Sequence, residues 1–164
     1  MKIQLCYASL RQGHANDLID DLSDILSIAR EFNSKHLVFG VLYYANNAFF
    51  QCLEGEDFII LPLFESIKKD FRHNNIIEFE VKNIDKYNFK SWSMKYVQKS
   101  SKVDIFFNRI GCEEFTPSMI NEQNLSGPLE ALLNENQTRV RKKVGLNQRG
   151  IRPYLTRIAD NKLT

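Results

Sequence analysis

The chain has 164 residues, 43% of them apolar, which is enough for one buried core and short for two, so one principal domain is expected. No stretch approaches the roughly 20 consecutive apolar residues of a membrane-spanning helix, and the three cysteines, Cys6, Cys52 and Cys112, lack the paired spacing of a zinc site or redox motif. The net charge of +2 divides unevenly: residues 139–164 carry eight Lys or Arg against Asp160, a net of +7, and the −5 left before them argues against a body-wide nucleic-acid surface.

The opening MKIQLCYASLRQG enters a strand-like pattern directly, without a signal-peptide apolar region, so a cytoplasmic protein with reduced thiols is expected. Residues 3–8 read as a strand. From Asp17 to Arg30, Leu18, Leu22, Ile25, Leu26 and Ala29 recur at helical spacing, with Asn16 or Asp17 as cap. Apolar runs at 37–45 and 48–53 flank Asn46 and Asn47, which tolerate positive φ and predict a tight hairpin. A second helix is expected over 58–71, with Asp57 as cap and Ile60, Leu63, Phe64 and Ile67 facing inward. Pro62 lacks a backbone donor and clashes with the carbonyl four residues earlier, so this helix is expected to start near Leu61 or to be distorted there. Residues 75–84 alternate weakly as a strand, and 92–97 add another.

The predicted fold class is α+β: a ferredoxin-like β-α-β-β-α-β unit with an added fifth strand, plus a small C-terminal helical extension. Two helices on one face of such a sheet leave a groove between them. The expected organisation is a binding domain over 1–98, short helices over 99–138 packed on the bare face of the sheet, and a basic flexible tail over 139–164.

HExxH, GxSxG and phosphate-cradling glycine loops are absent, and seven glycines leave little for a dinucleotide fingerprint. Three polar residues instead occupy positions where a sheet and its flanking helix are normally apolar: Tyr7 in the first strand, Asn33 at the end of the first helix, and Gln51 between Phe50 and Cys52. Strand alternation puts Gln51 on one side with Phe49 and Leu53. A buried amide needs partners; an edge-facing or internally satisfied glutamine is the alternative reading.

The segments LCYAS (5–9), FN (32–33), GVLYYANNAFFQCLEGE (40–56), IKKDFRH (67–73) and WSM (92–94) together resemble the BLUF family, the sensors of blue light using FAD, over about residues 1–98. The chain departs from the family pattern at Ala29, Phe39 and Ser66. The resemblance implies a flavin, FAD or FMN, held between the two helices. It implies that Tyr7 is the phenol giving an electron and a proton to the excited flavin, that Gln51 links that phenol to the ring, and that Asn33 holds the pyrimidine edge. It places Asp70, Arg72 and His73 near the ring or ribityl chain, and makes Trp92 and Met94 a reporting pair on the last strand. On the residues alone, the alternative reading is that Asp70, Arg72 and His73 are a solvated helix end, and Trp92 and Met94 ordinary core.

A photoreceptor without enzymatic turnover follows, of the short stand-alone type, signalling through the C-terminal helices to a partner protein such as a transcription regulator. The alternatives are a small flavin-dependent redox enzyme, discriminated by bleaching with reduced nicotinamide, and a flavin-free ferredoxin-like ligand or RNA binder, which would purify colourless. Nucleic acid is the least favoured partner for the basic segment, because only Tyr154 is there to stack.

Overall fold

A computed structural model describes residues 1–140. The basic tail expected over 139–164 therefore lies outside the described residues except for Arg139 and Val140. The elements are β1 (Lys2–Arg11), α1 (Leu18–His36), β2 (Phe39–Ala45), β3 (Ala48–Glu56), α2 (Asp57–Lys68), β4 (His73–Glu78), β5 (Lys82–Asn83), β6 (Lys95–Gln98), α3 (Ser101–Arg109) and α4 (Ser126–Leu133). The sheet runs β4-β1-β3-β2-β6, with β5 pairing β1 beyond β4. The first four of these strands have the ferredoxin-like order and pair antiparallel, whereas β6 adds to β2 in parallel.

The hairpin between β2 and β3 turns on Asn46 and Asn47, both at positive φ (51° and 58°), as the paired asparagines predict. Close approach of these two strands also explains Gly40, where a Cβ would lie 2.2 Å from the Cys52 carbonyl oxygen. Strand alternation then sorts the side chains. The front face carries Ile3, Leu5, Tyr7, Leu42, Phe49, Leu53 and Tyr96 under Leu22 and Leu26 of α1 and Ile60, Leu63 and Phe64 of α2. The back face carries Cys6, Ala8, Val41, Tyr43, Phe50, Cys52 and Val97 under α3 and α4, through Val103, Phe107 and Leu132.

Four elements differ from their sequence expectations. Helix α1 continues past residue 30 to His36, because Phe32 and Asn33 extend its buried face; it ends at Leu37 in the left-handed region (φ 54°). Neither Asn16 nor Asp17 caps it with a side chain, since a 3₁₀ turn over Ala15–Asp17 leads into it. Helix α2 starts at Asp57 and not near Leu61, with Pro62 inside it. An interior proline costs about 3 kcal/mol, but burial of Ile60, Leu63 and Phe64 contributes about 1.5–3 kcal/mol each and outweighs it. The strand expected over 75–84 divides into β4 and β5. The last strand begins only at Lys95, so Trp92 and Met94 precede it.

The link from β5 to β6 crosses the back face. Glu54, fully buried, holds it by accepting from the backbone amides of Asn88 (2.7 Å) and Phe89 (3.0 Å) and from Asn88 Nδ2 (2.8 Å). After α4 the chain returns along the free edge of β6, where the Thr138 amide donates to the Tyr96 carbonyl at 2.7 Å, and Val140 packs against the front-face cluster.

Candidate functional site

Tyr7 and Gln51 are directly opposite on β1 and β3, and Gln51 is in turn opposite Leu42 on β2. The register alone therefore brings the phenol against the carboxamide in the middle of the front face, with Gln51 on the same side as Phe49 and Leu53. Tyr7 Oη donates a hydrogen bond to Gln51 Oε1. Both residues are buried, and burial drives the Tyr7 pKa far above its ordinary value, so the phenol keeps its proton. Among the described residues, Gln51 Nε2 meets only the Met94 thioether, at 3.7 Å. Sulfur is a weak acceptor, which leaves the amide end of Gln51 under-satisfied in a low-dielectric site.

Around this pair α1 and α2 cover the front face while making little contact with each other, which leaves the groove between them. From α1, Asn33, itself buried, donates through Nδ2 to the Ser93 carbonyl at 2.5 Å. One turn earlier Arg30, three residues before Asn33 and so on the same helix face, donates through Nε to the next carbonyl, that of Met94, at 3.2 Å. The two side chains together hold the segment that carries Met94 onto Gln51.

At the other end of the groove, Asp70 and Arg72 form a bidentate pair, with Arg72 Nε at 2.9 and 3.0 Å and Nη2 at 2.5 Å from the carboxylate oxygens. This pairing holds the Asp70 carboxyl below its usual range against the opposing effect of burial. His73 points inward: Nδ1 is 2.8 Å from Ser9 Oγ, and its ring lies edge-on to Tyr7, centroids 5.8 Å apart, and 4.9 Å from Phe49. Burial pushes its pKa down to about 4, so the imidazole is neutral near pH 7. These three residues are accordingly not a solvated helix end.

Trp92 and Met94 are separated by the sheet. Met94 is buried in the front cluster on Gln51, while Trp92 packs on the back cluster, with Lys95 Nζ 4.1 Å from its ring centre. The expected pair on the last strand is thus a two-faced lead-in to it.

Residues that sequence reading passed over are Arg30, Ser9 and Arg11. Tyr7, Ser9 and Arg11 alternate onto one face of β1, a signal available from strand period, and Arg11 pairs with Asp21 at 2.7 Å. The donor and acceptor set suits an uncharged heteroaromatic edge such as that of a flavin, because the amide protons of Gln51 lack a strong acceptor and the nearest imidazole is neutral. Among the described residues no helix is long and apolar enough to cross a membrane.

The sequence model of the family described as sensors of blue-light using FAD matches residues 3–95. Among solved structures, "BlsA ground state" is similar at 47% identity and a TM-score of 0.83, covering 88% of this chain and 95% of that one. "BlsA photo-activated state" is similar at 49% identity and a TM-score of 0.80, covering 85% and 99%. A bacterial light-regulated adenylyl cyclase is similar at 26% identity and a TM-score of 0.59, over 80% of this chain and 36% of that chain. A search of curated proteins gave no match.

Proposed function

The chain belongs to the BLUF family and is a flavin-binding blue-light photoreceptor, and we propose that its signal is an exchange of hydrogen bonds at Gln51, begun at Tyr7 and passed on through Met94 and Trp92. The observation that carries this reading is the buried Tyr7–Gln51 hydrogen bond with the amide nitrogen left on a thioether. When bound, the flavin supplies blue-light absorption and an oxidising excited state. Tyr7 is the electron donor, and because its phenol is buried and bonded to Gln51 Oε1, loss of the electron moves the proton toward that oxygen. Gln51 is the side chain whose donor and acceptor ends exchange by rotation or tautomerisation at small steric cost.

Turned end for end, the Gln51 amide presents oxygen where Met94 Sδ now receives an N–H. That contact is then lost, and Met94 and the carbonyls held by Arg30 and Asn33 shift. Two discrete arrangements are each favoured over unpaired intermediates, which is the requirement for a switch. Asn33, while keeping its bond to the Ser93 carbonyl, would meet the pyrimidine edge of the ring through the rest of its carboxamide, and Asp70, Arg72 and His73 would line the ring and ribityl end. FAD is the proposed cofactor on the family description; the ring contacts are common to FMN, and release of the cofactor followed by chromatography distinguishes the two.

We propose that the photosensor unit over 1–98, the back-face helices over 99–138 and the tail over 139–164 act in that order. The output is binding of a partner protein in the cytoplasm, a transcription regulator by analogy, and no substrate is turned over. The deciding experiment is an absorption spectrum of purified protein in the dark and under blue light. A yellow protein whose flavin band shifts reversibly to longer wavelength is expected; a colourless preparation that FAD does not reconstitute overturns the reading. Bleaching of the flavin by reduced nicotinamide would instead establish a redox enzyme.

A further inference from the structure

Behind the sheet lies a charge that the photochemistry does not use. Lys95, the residue after Met94, is 1% exposed, and among the described residues its ammonium meets the carbonyl of Leu133, at the end of α4, at 3.1 Å, and the face of Trp92, 4.1 Å from the ring centre. Among the described residues it forms no ion pair; Glu135, the acid that acts on it from a distance, is held by Ser100 at 2.7 Å. A buried ammonium without a counter-charge is tolerated only while its few partners stay in place, and a desolvated cation gains much of its compensation from an aromatic face.

We propose that Lys95 is the positioning residue that couples the Trp92–Met94 segment to the C-terminal end of α4. The proposal deepens the reading above and rests on it. The segment has polar anchors on both sides of the sheet. On the front, Arg30 and Asn33 hold the carbonyls of Met94 and Ser93. On the back, Lys95, set against the face of Trp92, reaches α4 through the Leu133 carbonyl. Displacement of Met94 on the front moves Trp92, two residues away, on the back. Lys95 then follows Trp92 and leaves the Leu133 carbonyl, which releases the last turn of α4 and exposes the ammonium to water. A neutral side chain of the same length has no such interdependence.

The test is hydrogen–deuterium exchange on the flavin-loaded full chain, in the dark and under blue light, read at α4 and residues 134–138. The wild type is expected to exchange at least threefold faster there in the light. Lys95→Met is expected to keep the wild-type photoshift and lose this difference, and Lys95→Arg, which keeps the cation, to restore it. A wild type without any photoshift removes the photoreceptor reading itself. A wild type that shifts but shows no difference at α4, or a Lys95→Met protein that keeps the difference, overturns the role of Lys95 alone. Should Lys95→Met fail to fold, acylation of Lys95 in the wild type by an amine-reactive ester decides: at least threefold faster labelling in the light is expected, and equal rates overturn the proposal.

Discussion

The two faces of one sheet have been put to different uses. On the back, packing is almost wholly apolar, and the two buried charges, Glu54 and Lys95, each hold a neighbouring segment by hydrogen bonds to its backbone. On the front, the same strands bury a phenol, a carboxamide, a hydroxyl and a neutral imidazole among apolar neighbours, and among the described residues the carboxamide nitrogen has only a thioether to bond. A core built for stability satisfies its polar groups internally; one built to hold a ligand leaves donors for it. The front face is therefore expected to govern the light response, and the back face to govern stability and transmission.

The largest expected effect tests the front face. Tyr7→Phe and Gln51→Ala are each expected to retain flavin and abolish the photoshift, while costing only about 1–3 kcal/mol of stability from the unpaired partner. A normal photocycle in either variant, read by difference absorption, breaks the assignment. The converse experiment is Phe107→Ala on the back face, where a fully buried ring between Val103 and Phe115 is removed. About 3–5 kcal/mol of stability is expected to be lost in denaturant unfolding, with the photoshift of the folded fraction intact.

The pH dependence sharpens the comparison further. His73 has its folded pKa lowered from 6.5 to about 4, so between those values the unfolded chain binds the extra proton. Its contribution is fully present above about pH 6.5 and is lost as pH falls toward 4, a loss of roughly 3 kcal/mol at 1.36 kcal/mol per unit. His73→Gln is expected to flatten this part of the stability curve; an unchanged slope in urea midpoints from pH 4 to 7 would contradict the neutral, buried imidazole. The smallest effect concerns Leu37, exposed and in the left-handed region at the end of α1. Leu37→Gly removes a Cβ clash and is expected to raise stability by about 0.5–1 kcal/mol, with no change in the spectrum or its dark recovery; a lowered melting temperature would show that the leucine side chain packs there.

What the sequence by itself determined is what depends on near neighbours in the chain: the strand periods, the Asn46–Asn47 hairpin, two amphipathic helices, and the alternation that puts Gln51 on one side with Phe49 and Leu53. The motif segments could be read for the same reason, since each is contiguous. Tertiary structure decided what depends on distant partners. Pro62 predicts a late or distorted start of α2 because its local cost is visible in sequence, whereas the burial of Ile60, Leu63 and Phe64 that overrides it is not. The family resemblance puts Trp92 and Met94 together on the last strand; they fall on opposite sides of the sheet because both precede β6, which begins at Lys95, so strand alternation does not hold them to one face. The holds of Arg30 on Met94 and of Lys95 on Leu133 join residues 64 and 38 positions apart. No local propensity encodes such contacts, because they exist only once the register of the sheet has fixed which backbone carbonyls face which side chains.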